Sequence, residues 1–205
     1  MAPNMSLFAV NAILLLSTSD ASRILTRYYA PPHAPAHAPP HAAGAPAPAG
    51  ANPYPLVKEQ KAFEKGLVEK TGRLGGDVIL YDNRVVVFKS EGDVGVYVVG
   101  GAAENEVLLY AVVLGLRDVL SILLKTQVDR RSLVENYDLV ALAIDEMVDA
   151  GIILETDAVV VAGRVSRPAV QEGGQMGGLD LSEEGLVKIY QLGKAKLGER
   201  LRQGL

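Results

Sequence analysis

Residues 77–99, DVILYDNRVVVFKSEGDVGVYVV, decide the fold class. They hold three runs rich in β-branched and aromatic residues: Asp77–Tyr81, Arg84–Lys89 and Val94–Val99. Asp82-Asn83 predicts a tight hairpin turn between the first two. Glu91-Gly92-Asp93 separates the second from the third. Parallel neighbours need a crossover of about a dozen residues or more. Links this short therefore predict antiparallel pairing.

Upstream, Leu7–Leu16 (LFAVNAILLL) is apolar at nearly every position, as expected of a central strand covered on both faces. The run also has the apolar character of a secretory leader. No Lys or Arg precedes it, however, since the first basic residue is Arg23, and Asn11 interrupts it. The expectation is a buried first strand in a soluble chain of the cytosol. Ser17–Ser22 is a polar turn, and Arg23–Tyr29 reads as the second strand of a hairpin. A helix is predicted from the prolines at 53 and 55 to near Gly72. Leu56, Gln60, Phe63 and Leu67 fall on one stripe; Lys58, Glu59, Lys61, Glu64 and Lys65 supply the wet face. The count is five strands, with one helix between the second and the third.

Between the second strand and that helix the composition changes abruptly. Residues 30–52 are almost entirely Pro, Ala, His and Gly. Such a segment has no side chains with which to build a core, and its prolines forbid a regular helix. All three histidines, His33, His37 and His41, lie here. A spacing of four would align them as metal ligands on a helix. Without the helix, the reading is a low-complexity insert.

Downstream, Glu104–Gln127 carries Val107, Leu108, Ala111, Leu114, Val119, Ile122 and Leu123. It is too apolar for a solvated helix and is expected to pack on the sheet. Arg117 and Asp118 in its middle argue against a membrane span. Asp129–Asp149 reads as a helix or a broken pair, with Leu133, Tyr137, Val140, Ala141, Ile144 and Val148 as its buried stripe. Gly151 is expected to end it. Thr156 or Asp157 then caps a shorter helix through Val165. Residues 166–181 form a Gly-rich linker, and residues 182–205 a C-terminal helix with Leu186, Ile189, Tyr190, Leu197 and Leu201 as its apolar positions.

Composition narrows the function. The chain has 205 residues, a net charge of -4 and no cysteine. Disulfides, thiolate metal sites and cysteine nucleophiles are thereby excluded. A pI of about 5.4 argues against a nucleic-acid binder and against strong general attraction to anionic membranes, though not against a local basic patch. With every histidine in the insert, no Ser-His-Asp arrangement is available. Neither phosphate-loop nor dinucleotide fingerprint occurs. Gly100-Gly101 reads as a strand-to-helix turn rather than a phosphate cradle. Lys125, Arg130 and Arg131 read as favouring a helix C-terminus rather than facing lipid. Asp145, Glu146 and Asp149 cluster near a helix end, where carboxylates can serve acid–base or metal chemistry. A solvated acidic face is the preferred reading. No cofactor and no catalytic residue is assigned, and the expectation is not an enzyme.

Four stretches carry a family resemblance. The run from Tyr54 (YPLVKEQKAFEKGLVEKT) resembles the first helix of coatomer zeta subunits. The run from Tyr97 (YVVGGAAENEVLLYAVVLGLRDVLSILLKTQVDRRSLVEN) is similar to that family's last strand and long helix. The run from Tyr137 (YDLVALAIDEMVDAGIILETD) resembles its following helices, and FAVNAILLL with ILTRYY its first hairpin. The resemblance spans about Leu7–Val165, without the insert, the Gly-rich linker or the final helix.

What it implies is an α+β, longin-like domain over residues 5–165: a five-stranded antiparallel sheet flanked by helices on both faces. It further implies a non-catalytic subunit of the coatomer vesicle coat, cytoplasmic and peripheral on Golgi membranes and coated vesicles. The implied partner is the trunk of the large gamma subunit. An Arf-class GTPase would connect the coat to the membrane indirectly. The near rival is a sigma-type small chain of a clathrin adaptor complex, which shares the fold. A small metal enzyme using the acidic cluster, and a longin-like regulator of membrane fusion, stand behind these. The partner interface is placed at Glu104, Asn105 and Glu106 and at Asp145, Glu146 and Asp149, against the simpler reading of each group as helix capping and solvation.

Overall fold

A computed structural model of the chain describes residues 9–30, 54–72, 77–125 and 127–166. The histidine-bearing part of the insert, the C-terminal helix and all of the Gly-rich linker except Ser166 lie outside the described residues, as does the start of the first strand. The description below concerns the unit Met1–Ser166.

Two strands open the fold, β1 (Val10–Ser17) and β2 (Arg23–Tyr28), followed by helix α1 (Val57–Thr71). Strands β3 (Val78–Tyr81), β4 (Arg84–Glu91) and β5 (Val94–Gly101) come next. The sheet order is β2-β1-β5-β4-β3. Every neighbouring pair is antiparallel, as the short turns predicted. Asp82 and Asn83 both have positive φ, the requirement of a two-residue type I′ hairpin.

Alternation along the strands divides the interior into two cores. Ile13 and Leu15 of β1 join Val85, Val87, Val96 and Val98 on one face. Ala12, Leu14 and Leu16 join Val86, Phe88, Tyr97 and Val99 on the other. That is the period-two signature of strands buried on both sides. Val10 breaks the alternation, sharing a core with Ile13 rather than with Ala12. The cause is a bulge: Val10 faces Gly100 and Ala12 faces Val99, so Asn11 is an extra residue. Its side chain accepts a hydrogen bond from Arg84 at 3.0 Å. The polar residue interrupting the apolar run thus sits where the ladder is locally broken.

Helix α1 covers the second face alone among the described helices, through Phe63, Leu67 and Val68. The first face carries α2 (Glu106–Leu124), the broken pair α3 (Arg130–Glu135) and α4 (Tyr137–Met147), and α5 (Ala158–Val165). The residues of α2 that reach the core are Leu109, Val112, Val113, Leu116, Val119, Leu120 and Leu124. By composition α2 is long and apolar enough to cross a membrane. Here its apolar face packs on the sheet.

Four expectations need correction. Leu56, placed on the apolar stripe of α1, is exposed. Glu64, assigned to the wet face of α1, is 1% exposed. Tyr137, assigned to a buried stripe, is exposed, because the break at Asn136 resets the phase of α4 relative to α3. Gly151 does not end a helix. α4 stops at Met147, and Val148–Asp149 (β6) pairs with Ile152–Ile153 (β7) in a two-stranded hairpin. Ala150 and Gly151 form its turn at φ 48° and 86°. A Cβ on Gly151 would lie 2.5 Å from the Val10 carbonyl oxygen, so strain and crowding both require glycine.

Candidate partner-binding surface

One end of the sheet gathers two of the elements singled out in the sequence. The backbone N–H of Val10 donates to the Gly151 carbonyl at 3.0 Å, which anchors the β6–β7 turn beside β1. Across the sheet Val10 faces Gly100. A Cβ on Gly100 would meet Leu109 at 2.6 Å and Glu104 at 3.3 Å. Gly100-Gly101 is therefore the end of β5, kept bare so that the start of α2 packs over it, and the strand-to-helix reading holds.

Glu104, Asn105 and Glu106 form the entry to α2. Asn105 is its N-cap; the side-chain oxygen accepts from the N–H of Val107 at 2.9 Å and of Leu108 at 3.3 Å. Partial burial pushes the Glu104 carboxyl above the usual range. Glu106 is exposed in the first turn, where the helix dipole favours an acid. Asn105 thus has a structural role, while Glu106 is free to meet a partner.

The acidic trio does not converge. Asp145 turns to β2 and pairs with Arg27 at 3.3 Å. Glu146 turns to α5 and pairs with Arg164 at 3.6 Å. Asp149 is exposed on β6. Among the described residues no group of three acids or histidines is placed to hold a metal ion. The basic trio is also dispersed. Lys125 is the left-handed C-cap of α2, Arg130 pairs with Asp20 at 3.8 Å, and Arg131 pairs with Glu135 inside α3.

What sequence reasoning missed is apolar. Val107 is 76% exposed and Leu108 beside it 42%. Val159 and Val160 stand exposed at the start of α5, and Leu142 on the outer side of α4. Their apolar runs were visible, but the side each residue takes is set by where α2, α4 and α5 pack on one another. Large apolar side chains left exposed on several helices are the chemistry of protein association.

Comparison with known proteins agrees. The family model described as clathrin adaptor complex small chain matches residues 52–170. Coatomer subunit zeta of Saccharomyces cerevisiae is 36% identical over 202 residues, covering 98% of this chain and 99% of that protein. This match runs well beyond the span Leu7–Val165 that carries the resemblance. Coatomer subunit zeta-1 of Homo sapiens is 40% identical over 161 residues, 78% of each chain. Among solved structures, a homology model of the full-length AP-3 complex in a stretched open conformation contains a similar chain. The TM-score is 0.52 at 14% identity, covering 76% of this chain and 90% of that one, a likeness of fold alone. With the family model, the near full-length relatives and the five-stranded fold in agreement, the chain belongs to the coatomer zeta subunits of the clathrin adaptor small-chain family.

Proposed function

We infer that the chain is a non-catalytic structural subunit of the coatomer vesicle coat. The observation that carries this is the match to the yeast zeta subunit along essentially the whole of both chains. The exposed apolar residues on α2, α4 and α5 support it, since a coat subunit must present surface to its neighbours. The non-catalytic reading is supported by what this family does: its members are named as parts of adaptor and coat complexes.

The finer reading is pairing with the large gamma subunit, in a cytoplasmic coat that works in Golgi-to-ER and intra-Golgi transport. An Arf-class GTPase would recruit the coat through the larger subunits. The partner would meet the entry to α2, at Glu104, Glu106 and the exposed Val107, and the acids that follow, Asp145 and Glu146 of α4 and Asp149 of β6. Asn105 contributes there by shaping the helix start.

Affinity purification of the tagged chain from its own cytosol tests this reading. Stoichiometric recovery of large coatomer subunits is the expected result. Recovery of clathrin-adaptor large chains would move the assignment to a sigma-type role, and recovery of the chain alone would overturn the coat reading.

A further inference from the structure

Helix α1 carries a stripe of exposed lysines outside any ion pair among the described residues. Lys58, Lys61 and Lys65 recur at i, i+3 and i+7, so they share one flank of the helix. All three are exposed, and none forms an ion pair among the described residues. Cations elsewhere behave differently. Of the nine described lysines and arginines outside α1, seven are in ion pairs. The other two are Arg84, which donates to Asn11, and Lys125. Lys70, the remaining lysine of α1, lies over the Tyr81 ring. Among the described residues, unpaired positive charge is thus concentrated on one helix flank, in a chain whose net charge is -4.

Two further features bear on this flank. Leu56 and Val57 at the helix start are 61% and 57% exposed, and Val57 precedes Lys61 by one turn. The acids on the exposed side are Glu59, which accepts from the Leu56 N–H, and Glu69. Glu64 is withdrawn into its pair with Arg23. Lysines with apolar residues at one end are the composition of a surface that rests on anionic headgroups. Because α1 lies across the sheet from α2, α4 and α5, contact there leaves the proposed protein-binding side free.

We propose that the Lys58–Lys61–Lys65 flank of α1 is a contact surface for anionic phospholipid headgroups, with Leu56 and Val57 at the acyl boundary. This rests on the coat reading and adds to it a direct contact with the membrane.

Vesicle flotation with the full-length chain tests it, using phosphatidylcholine vesicles with and without phosphatidylserine. Binding is expected only with phosphatidylserine and is expected to weaken with salt. Lys58→Glu, Lys61→Glu and Lys65→Glu together should reduce it on the order of a hundredfold. The corresponding triple change to arginine should retain it, and Lys125→Glu should leave it unchanged. Equal binding to both vesicles, no binding, or an unaffected triple glutamate variant would overturn the proposal. So would retention on immobilised polyglutamate without vesicle binding, which would make the stripe a protein contact. If large coatomer subunits are recovered but vesicles are not bound, this inference fails and the coat reading stands. If the subunits are not recovered, the coat reading fails whatever the vesicles show.

Discussion

Glu64 sits on a helix whose other charged residues face water, yet it is almost wholly enclosed. Its two carboxylate oxygens are both engaged: Arg23 donates to one and Tyr28 to the other, each at 2.7 Å. Arg23 also reaches Gln60 at 3.1 Å, so one network ties β2 to α1. Burial and then the bond to Glu64 hold the Tyr28 phenol protonated, well above its usual range. Removing one partner of a buried pair leaves the other charge uncompensated. Glu64→Ala should cost about 3 kcal/mol, the low end of that effect, because Arg23 keeps some access to water. A urea-unfolding midpoint measures it. No loss of stability would mean that Arg23 finds other solvation. In the sequence Glu64 is one more charged residue on a helix. Its partners lie 41 and 36 residues away, and no local pattern identifies them.

At the scale of elements, the strands and the start of α5 were legible, while the faces of apolar helices and the end of α4 were not. The hairpins follow from short polar turns between β-rich runs. The start of α5 follows from Asp157, whose side chain accepts from Val159 and Val160 N–H groups. For α2, apolar residues surround the helix, so periodicity does not select the face. The sequence reading named Val107, Leu108 and Ile122, which are exposed, beside Val119, which is buried. Gly115 shows what does select it. A Cβ there would lie 2.5 Å from the Thr156 carbonyl oxygen and 3.1 Å from Met147. The chain entering α5 therefore presses directly onto α2. Gly115→Val should force the two apart, with overpacking costing about 2 kcal/mol. Faster proteolysis between α4 and α5 would mark the loosened contact. Unchanged protection would show that the backbone at Thr156 moves aside freely.

For the whole molecule, the sheet separates a side covered by one described helix from a side covered by several. Exposed apolar residues on the several-helix side make it the candidate for coat contacts, and Val107 is the most exposed large one among the described residues. Val107→Asp is a discriminating change, because an acid in the first turn of α2 is favoured by the helix dipole and should not weaken the fold. Recovery of large coat subunits with the tagged chain is expected to drop at least about tenfold, the loss of one well-placed interface residue. The thermal midpoint should be unchanged. Undiminished recovery would move the interface away from the entry to α2.

The sequence by itself determined the strand count, their antiparallel pairing, the interior place of β1 and the family. Each of these is written in local periodicity, short turns or long linear similarity. Only the tertiary structure decided that Asn11 is a bulge, that Glu64 is buried and that Gly151 makes a hairpin turn. It also decided that Asp145 and Glu146 point to different neighbours. The physical reason is common to all four. Each depends on an atom supplied by a distant segment: Arg84 for Asn11, Arg23 for Glu64, Val10 for Gly151, Arg27 and Arg164 for the two acids. Local patterning sets which residues avoid water, and packing between segments sets which of them meet.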